Sequence, residues 1–492
     1  MKKQYYFLGI DIGTQGARVA LLGEDGHLAG SREESFPLSD SFREEQSPEG
    51  WWEACRRSLR YLLGSVKDEI SGEQIKAIAV VSTSGTVIPL DKDHRPLHPA
   101  LLYSDQRSAA EGVICTKEAL AYRAARTTEP VRGYTAFNSS SGLSKMVWYV
   151  QQYPAAAEKI AHWAHAADYI TGKLCGRWGI TDHTNALKSG YDLYEEKWPC
   201  YIYERLPLRK EWLPEVVPSG RPIGNLLPEL AQEFGLSSSL QVVAGMTDGC
   251  ASQLASGAAG PGDWNTTLGT TLVIKGVTKM ELADAEGRFY SHRHPDGGWM
   301  PGGASNTGAD WVSREFARGP GSLERLEAEA AGLIPTGLMA YPLRMEGERF
   351  PFIAPQARGF APEAVKGALL FTANMEGVAY IERYAYELAA GLSGEEPRAV
   401  FTAGGGSNSA GWMKIRSSVL GLPLYKMRHV TGAAGAAILA AARTHFSSAG
   451  EAVRSMAQIE KEVGPSQKLQ AAYEEGYGKF MDTLREKGYI EK

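Results

Sequence analysis

The sequence predicts an α/β protein made of two halves, and three observations favour that class. The 492-residue chain is 43% hydrophobic and 22% charged, which is ordinary for a globular protein with a sizeable core. Its 55 glycines make up about 11% of the residues, against a usual share of about 7%, which indicates many tight backbone turns. Two pairs of strands, one at the start and one in the middle, are each joined by a glycine–threonine turn. This composition excludes a disordered chain, a collagen and a coiled coil.

Charge and cysteine usage narrow the classes of function. The 52 Lys and Arg against 57 Asp and Glu leave a net charge of -5, so nucleic acid is not expected as a partner. No apolar run approaches the roughly 18 residues that a membrane span requires, so no membrane partner is expected. The 5 cysteines are far apart and contain no CxxC pair, which argues against disulfides or a zinc site. A cytoplasmic location is therefore expected.

The first half opens with a hairpin, which is not the strand–helix start of a dinucleotide-binding fold. Ser47 and Pro48 are typical of a helix N-cap followed by proline, and they predict a helix with Trp51, Trp52, Cys55 and Leu59 on one face. The predicted elements are strands at Tyr5–Asp11, Ala17–Leu22 and up to Phe36, a helix from Pro48, a strand at Ile75–Val81, helices at Ser144–Tyr153 and Ala155–Gly172, a strand at Gln241–Gly245 and a helix at Gly249–Ser256.

A glycine-rich segment, Gly257–Gly262, predicts the boundary between domains at 1–256 and 257–492. The second half then repeats the opening pattern of strand, Gly-Thr turn and strand, which indicates a distant duplication. Its predicted elements are strands around the turn in Asn265–Lys275, a strand at Arg398–Ala403, a helix from Ser409, a strand at Leu424–Met427, an Ala-rich helix from Thr431 and amphipathic helices after Ser447.

The first candidate site is the turn around Asp11, Gly13 and Thr14. A carboxylate at a strand end, followed by glycines, places free N–H groups beside a negative side chain. Phosphate oxygens can accept from those N–H groups while the carboxylate holds magnesium through water. An Asx turn that merely closes the hairpin explains the same residues, so the motif alone leaves both interpretations open.

The second candidate is Asp248, which lies between a predicted strand and a predicted helix. A carboxylate at that junction can orient and deprotonate a hydroxyl that attacks a γ-phosphoryl group. The same residue is also well suited to an ordinary helix N-cap.

Two further glycine turns could approach a phosphate or a planar ligand closely. They are Gly269-Thr270, inside the second hairpin, and Gly404-Gly405-Gly406, between a strand and a helix. Each alone is explained by a plain tight turn. All of these motifs in one chain are much less expected by chance.

The histidines are interpreted as structural. His292 and His294 are expected to be a solvated surface pair, because no third metal ligand stands at a useful spacing. His162 and His165 are expected on one face of the predicted helix, at its surface or boundary. Walker A, GxSxG and HExxH motifs do not occur, which disfavours P-loop kinases and α/β-hydrolases.

Taken in order, these motifs resemble those of the FGGY family of carbohydrate kinases, part of the actin/sugar-kinase ATPase superfamily. The resemblance runs from about Tyr5 to Ala442, and its motifs are Asp11-x-Gly13-Thr14-x-x-x-Arg18, Tyr103-Ser104-Asp105-Gln106-Arg107, Lys145-x-x-Trp148, Thr181-Asp182-His183-Thr184-Asn185-Ala186, Thr247-Asp248-Gly249, Leu268-Gly269-Thr270-Thr271 and Gly404-Gly405-Gly406.

The resemblance implies two lobes with ribonuclease-H-like cores that close over a central cleft. A small sugar substrate would bind the first lobe and ATP mainly the second, with Mg²⁺ as cofactor. The implied roles are catalytic base for Asp248, contact with magnesium and substrate for Asp11, metal contact through water for both, a γ-phosphate turn for Gly13 and Thr14, a second phosphate turn for Gly269 and Thr270, and an adenosine-side loop for Gly404, Gly405 and Ser409.

The substrate implied by the resemblance rests on Thr83-Ser84-Gly85-Thr86. Xylulose kinases of the family usually carry Q-M-H-G there and glycerol kinases Q-R-E, so the side chains those enzymes use are missing. Other runs, such as Gly347-Glu348-Arg349-Phe350, are most similar to a branch of D-ribulose kinases from plants and cyanobacteria. Ser84 is accordingly a candidate sugar contact.

The resulting hypothesis is an ATP- and magnesium-dependent kinase that phosphorylates a ketopentose at its terminal hydroxyl, with D-ribulose favoured. D-xylulose, L-ribulose or a polyol stays open as the substrate, and so does a homodimer as the assembly. A non-catalytic sugar sensor or an actin-like assembly protein is the alternative from another class. Retention of both Asp11 and Asp248 speaks against that alternative, because a pure binder needs no base.

Overall fold

The computed structural model describes residues 4–36, 43–126, 134–317, 319 and 321–491. Its strands are β1 (Tyr6–Gly13), β2 (Gly16–Gly23), β3 (Leu28–Ser35), β4 (Glu45–Gln46), β5 (Ile75–Ser82), β6 (Val87–Leu90), β7 (Ala100–Leu101), β8 (His162–His165), β9 (Ile180–Asp182), β10 (Glu215–Val217), β11 (Pro222–Asn225), β12 (Gln241–Val243), β13 (Met246–Thr247), β14 (Asp263–Leu268), β15 (Leu272–Gly276), β16 (Tyr290–Arg293), β17 (Trp299–Ser305), β18 (Ala399–Ala403), β19 (Leu424–Met427) and β20 (Ile459–Val463).

The α-helices, again in chain order, are α1 (Pro48–Val66), α2 (Ala109–Ala124), α3 (Gly142–Gln152), α4 (Pro154–Ala157), α5 (Ala166–Cys175), α6 (His183–Ala186), α7 (Tyr201–Glu204), α8 (Pro228–Phe234), α9 (Asp248–Ala255), α10 (Ser322–Ala330), α11 (Gly367–Ser393), α12 (Ala410–Leu420), α13 (Gly432–Ala442), α14 (Ala449–Met456) and α15 (Gln467–Glu486). Across the described ranges, no helix is both long enough and apolar enough to cross a bilayer.

The chain divides into two compact units. The first comprises Met1–Ala255, His292–Gly298 and His429–Gln458, and the second comprises Ser256–Ser291, Trp299–Arg428 and Ile459–Lys492. The sequence expectation of 1–256 and 257–492 therefore differs for two segments, which return to the first unit.

The return of α13 to the first unit has a packing cause. This Ala- and Gly-rich helix lies directly on β1, where a Cβ added at Gly9 would stand only 1.9 Å from the carbonyl oxygen of Ala433. Small residues on both elements permit this close approach. The elements against which α13 packs, β1 among them, are distant in the sequence, so the local composition of α13 does not reveal the unit to which it belongs.

The main sheet of the first unit has the strand order β11-β12-β5-β1-β2-β3, with β13 also paired to β5. β1, β2 and β3 form an antiparallel meander, and β5, beyond the crossover through α1, pairs in parallel with β1. The Ser47 hydroxyl accepts from the Gly50 amide at 3.1 Å to cap α1, and Trp51 and Trp52 are buried against the sheet. The helix start and the buried face predicted from Ser47-Pro48 are confirmed.

The sheet of the second unit repeats this topology in the order β16-β17-β15-β14-β18-β19-β20. β14 and β15 form the antiparallel hairpin, while β18 and β19 add in parallel. The long helix α11, which the sequence analysis did not place, packs against α12 and contributes Met375 and Tyr386 to the core with Trp264.

Four sequence predictions are wrong, and three of them concern secondary structure and the histidines placed by it. The predicted helix at Ala155–Gly172 is instead α4, β8 and α5, because 162–165 pairs antiparallel with β6 and buries Trp163. His162 and His165 therefore lie on opposite faces of a strand, and His165 is buried rather than at the surface. The predicted helical tail contains a strand, β20, which pairs with β19 at the edge of the second sheet.

The expectation that His292 and His294 form a solvated surface pair is also wrong. Both side chains are buried, with 3% and 5% exposure, within the short segment that returns to the first unit. The neighbouring Asp296 accepts from the Ala449 and Gly450 amides at 2.9 Å and so caps α14. That long-range cap fixes the segment, and nothing in the local sequence indicates it.

Candidate active site

Asp11 and Asp248 come together at one edge of the first sheet. Both β1 and β13 run parallel to β5, and Ile12 and Thr247 are each paired with Ser82. The two aspartates therefore flank the carboxyl end of β5, with Asp11 level with Val81 and Asp248 one residue beyond the pairing of Thr247 with Ser82. Open α/β sheets bind ligands at this edge, outside the carboxyl ends of their strands.

The two aspartates line a cavity of about 380 Å³ in the first unit. That volume is within the usual range for small-molecule sites. The other lining residues are Arg18, Gly249, Ser252, Val430, Thr431 and Gly432. Of these, Arg18 and Gly249 stand in motifs noted from the sequence, but neither has a role assigned there. Ser252 lies on α9, whereas Val430, Thr431 and Gly432 lie at the start of α13, which reaches the cavity only through the fold.

The carboxylate of Asp11 is buried, with 6% of the residue exposed. Its Oδ1 atom has no hydrogen-bond partner among the described residues, and Arg18 Nη1 stands 3.7 Å from Oδ2, an ion pair too long for a hydrogen bond. Burial chiefly, and then the charge of Asp248, raise the pKa of Asp11 to about 7, while Arg18 opposes the shift. This carboxylate therefore lacks a partner that would stabilise its negative charge fully.

Helix α13 begins directly beside that carboxylate. A Cβ added at Gly432 would lie 2.5 Å from Asp11 Oδ2, so only glycine lets the backbone approach so closely. Thr431 caps the helix by accepting from the Ala434 amide at 3.1 Å. The first turn of α13 thus forms part of the cavity wall.

Asp248 is the first residue of α9 and is half-buried. Its Oδ1 accepts from the Gly249 amide at 2.7 Å, and the amide of the preceding Thr247 donates to Thr184 Oγ1 at 2.8 Å. Both the carboxylate and the backbone that carries it are therefore held in place.

Gly13 and Thr14 form the turn between β1 and β2, close to Asp11 along the strand but not among the residues that line the cavity. The Thr14 carbonyl accepts from Gln46 Nε2 at 2.9 Å, and Gln46 Oε1 accepts from Trp51 Nε1 at 2.7 Å. The start of α1 thus fixes this turn.

Ser84 lies in the turn after β5, at the same sheet edge, and also outside the lining of the cavity. Thr83 Oγ1 and Thr86 Oγ1 stand 2.9 Å apart and close this turn. The Ser84 hydroxyl is buried without a hydrogen-bond partner among the described residues. Such a hydroxyl is available to a bound ligand, because leaving a buried polar group unpaired is costly.

In the second unit, the turns at Gly269-Thr270 and Gly404 lie against each other. Gly404 has φ +83°, and a Cβ there would stand 2.5 Å from the carbonyl oxygen of Leu268. Gly405 and Thr270 are exposed. The Ser409 hydroxyl accepts from the Trp412 amide at 3.1 Å, so this side chain caps α12. The structure therefore joins the two turns that the sequence analysis noted separately.

The buried carboxylate of Glu348 fixes a segment that is hydrogen-bonded to the hairpin of the Gly269-Thr270 turn. Glu348 accepts from the hydroxyls of Ser305, Thr307 and Tyr341 at 2.8, 3.1 and 2.7 Å. The segment 305–309, which Glu348 fixes, makes two backbone hydrogen bonds to the hairpin that contains the turn. The Ala309 amide donates to the Gly269 carbonyl at 2.7 Å, and the Thr307 carbonyl accepts from the Leu272 amide at 2.9 Å. The sequence analysis quoted Glu348 in a motif but gave it no role.

The donor set fits magnesium. Within the described ranges, no group of three or more His, Cys, Asp or Glu side chains could enclose a metal ion. Mg²⁺ rarely needs such a cage, because it keeps several waters and binds one or two carboxylates together with substrate phosphates. Asp11, buried with an unpartnered oxygen, and the adjacent Asp248 are the residues that would hold it.

Known proteins resemble this chain over nearly its full length. A xylulose kinase of Bacillus subtilis is 25% identical over 462 residues, covering 89% of this chain and 88% of that protein. A gluconokinase of Bacillus subtilis is 25% identical over 439 residues, covering 84% and 82%. The crystal structure of a xylulose kinase from Rhodospirillum rubrum matches with a TM-score of 0.82 at 24% identity, covering 97% and 98%.

Family models match both halves of the chain. The N-terminal domain of the FGGY family of carbohydrate kinases matches residues 6–255, and the C-terminal domain of the same family matches residues 264–444. The matches include both aspartates, the two hairpin turns and the Gly404 loop. The chain therefore belongs to the FGGY family of carbohydrate kinases and is a phosphotransferase that uses ATP with Mg²⁺.

Proposed function

We propose that this kinase phosphorylates D-ribulose at its terminal hydroxyl, giving D-ribulose 5-phosphate and ADP. The observation that carries the catalytic part is the pairing of Asp11 and Asp248 around one cavity of about 380 Å³. Two carboxylates in different environments can take different roles, one as a base and one beside the metal.

In this proposal Asp248 is the general base. It takes the proton from the terminal hydroxyl as that oxygen attacks the γ-phosphorus. The new O–P bond forms while the bond between the γ-phosphorus and its bridging oxygen breaks, and ADP leaves with that oxygen. Because the transition state is loose, positioning and charge stabilisation dominate the rate. The amide contacts of Thr247 and Asp248 supply that positioning.

Asp11 serves the phosphate side of the reaction. Bound Mg²⁺ would offset the negative charge that develops on the transferring phosphoryl group. Asp11 would hold the ion with Asp248, through water, and Arg18, 3.7 Å from Asp11, adds positive charge to the same cavity wall. The proposed nucleotide-binding residues lie in the second unit and are Gly269, Thr270, Gly404, Gly405 and Ser409, of which Thr270 and Gly405 are exposed. In the first unit, Gly13 and Thr14 form the proposed turn for the γ-phosphate.

The preference for D-ribulose is supported by the turn after β5. Here Ser84 replaces the Met of the Met-His pair that the resemblance assigns to xylulose kinases, and its buried hydroxyl has no partner in the described chain. D-ribulose and D-xylulose differ only in configuration at C3. A single hydroxyl donor at this position can therefore favour one epimer over the other.

D-xylulose is the second candidate, because several of the similar proteins are xylulose kinases. ADP release from Mg·ATP, measured with D-ribulose, D-xylulose, L-ribulose, gluconate, glycerol and no sugar, separates the candidates. The proposal expects the highest kcat/KM with D-ribulose. A higher value with D-xylulose would overturn the D-ribulose assignment.

The role of Ser84 has its own control. Ser84→Ala should raise KM for D-ribulose by roughly threefold to tenfold, the value of one neutral hydrogen bond, and leave KM for ATP unchanged. Ser58→Ala removes another buried hydroxyl without a partner, in α1 away from the cavity, and should change neither constant. Equal constants for Ser84→Ala and the unmodified protein would exclude Ser84 from the sugar site.

A further inference from the structure

Asp182 is a fully buried carboxylate at the end of β9 that only accepts hydrogen bonds. Its donors are the Thr184 amide and hydroxyl at 2.7 Å each, the Asn185 amide at 3.2 Å, Asn185 Nδ2 at 2.5 Å and the Ser219 hydroxyl at 3.1 Å. Burial raises its pKa, and these donors oppose that shift. Asp182 thereby fixes the backbone and side chains of Thr184 and Asn185.

Thr184 connects this carboxylate to the segment that carries Asp248. Its hydroxyl donates its proton to Asp182, which leaves an oxygen lone pair to accept from the Thr247 amide at 2.8 Å. Thr184 is completely buried, so water cannot replace this contact. The two residues are 63 positions apart in the sequence.

The segment that Thr184 contacts is short. β13 has only the residues Met246 and Thr247, and it pairs with the end of β5. Asp248 directly follows Thr247 in the chain, so the orientation of the Met246–Thr247 peptide affects the position of the Asp248 carboxylate. A short strand with one ladder partner needs a second contact to hold that orientation.

We propose that Asp182 and Thr184 form a hydrogen-bonded relay that positions Asp248 for proton abstraction from the sugar hydroxyl. The relay rests on the proposed role of Asp248 as the base. Asp182 fixes the direction in which the Thr184 hydroxyl points, and Thr184 fixes the Met246–Thr247 peptide, one residue ahead of Asp248. Neither residue touches substrate in this account, so both are positioning residues.

Ser219 provides the matched control for a purely structural role. Its hydroxyl also donates to Asp182, whereas the Thr247 amide donates to Thr184 and not to Ser219. Loss of either hydroxyl removes one buried hydrogen bond to the same carboxylate, so both variants should unfold at a lower temperature than the unmodified protein. Only loss of the Thr184 hydroxyl releases the segment before Asp248.

The experiment compares Thr184→Val, Thr184→Ser and Ser219→Ala by thermal unfolding and steady-state kinetics with the best sugar of the panel. Thr184→Val, which keeps the shape and removes the hydroxyl, should lower kcat by tenfold or more, about the cost of a misplaced catalytic group. KM for ATP should stay within twofold of the value for the unmodified protein, because the substitution removes no contact to the nucleotide. Thr184→Ser should restore kcat, and Ser219→Ala should lose thermal stability while keeping kcat.

Equal kcat values for Thr184→Val and Ser219→Ala would overturn the relay. Should Thr184→Val not fold, Thr184→Ala takes its place with the same expected results. Asp248→Asn, assayed in parallel, separates the two levels of the argument. Full turnover in Asp248→Asn would refute the proposed base, whereas an inactive Asp248→Asn with a fully active Thr184→Val would refute the relay alone.

Discussion

The buried Asp11 carboxylate should cost the folded protein stability, and its replacement should reveal how much. Burial and the charge of Asp248 raise its pKa from an ordinary 3.8 to about 7. The folded state therefore binds the Asp11 proton more tightly than the unfolded state does. Asp11 therefore leaves the free energy of unfolding unaffected below pH 3.8, lowers it as the pH rises from 3.8 towards 7, and keeps it lowered above pH 7.

The magnitude follows from that interval. Each pH unit between the two titrations is worth about 1.36 kcal/mol, so the loss at pH 8 is about 4 kcal/mol. Asp11→Asn cannot ionise and should escape this loss. Relative to the unmodified protein, the variant should gain about 0.6 kcal/mol in unfolding free energy at pH 4, about 1.7 kcal/mol at pH 5 and about 4 kcal/mol at pH 8.

Urea unfolding at pH 5, 6, 7 and 8, in EDTA and without nucleotide, measures this difference. Asp68→Asn, at an exposed position after α1, is the control and should show no pH-dependent gain. Asp248→Asn should reduce the Asp11 effect, because it removes the second cause of the raised pKa. An Asp11→Asn advantage that is the same at every pH, or absent at pH 8, would refute the reasoning.

Three further predictions concern the same site and its support. Mg·ADP binding at pH 7 should release about half a proton, because bound metal requires an ionised Asp11; calorimetry in buffers of different ionisation enthalpy measures this, and Asp11→Asn should abolish it. Gly432→Ala should lower kcat at least tenfold by displacing Asp11, since its Cβ would lie 2.5 Å from Oδ2; Gly64→Ala, where a Cβ meets open space, should keep normal kinetics, and a normal kcat in Gly432→Ala would contradict the packing argument. Glu348→Gln should destabilise the protein by about 2 kcal/mol or more and raise KM for ATP, because it loosens the segment behind Gly269; the exposed Glu324→Gln should do neither, and an unchanged KM for ATP in Glu348→Gln would remove Glu348 from the nucleotide side.

The sequence allowed prediction of what local chemistry determines. The hairpin around Asp11, the N-cap at Ser47 and the strand that begins at Gln241 all rest on residues within a few positions of one another, and these predictions are confirmed, although that strand ends at Val243. Both aspartates were identified as candidates from residue type and position at a strand end.

Features that depend on distant partners could not be predicted. β8 forms only because β6 offers a ladder, so an Ala-rich segment with helical propensity was misread. α13 joins the first unit because Gly9 admits it, and the Thr184–Thr247 contact spans 63 residues. The roles of Thr184 and Glu348 therefore emerge from packing, although both residues stand in motifs that the sequence displays.

The most direct test of the central claim is turnover by Asp248→Asn. This variant should still bind Mg·ADP in calorimetry, because Asp11 and the nucleotide-side turns are unchanged, but it should release no ADP from Mg·ATP above background when D-ribulose is added. The isosteric amide keeps the shape of the cavity and cannot accept the proton from the sugar hydroxyl. Sugar-stimulated ADP release at the rate of the unmodified protein would contradict the account, because the hydroxyl would then lose its proton without Asp248.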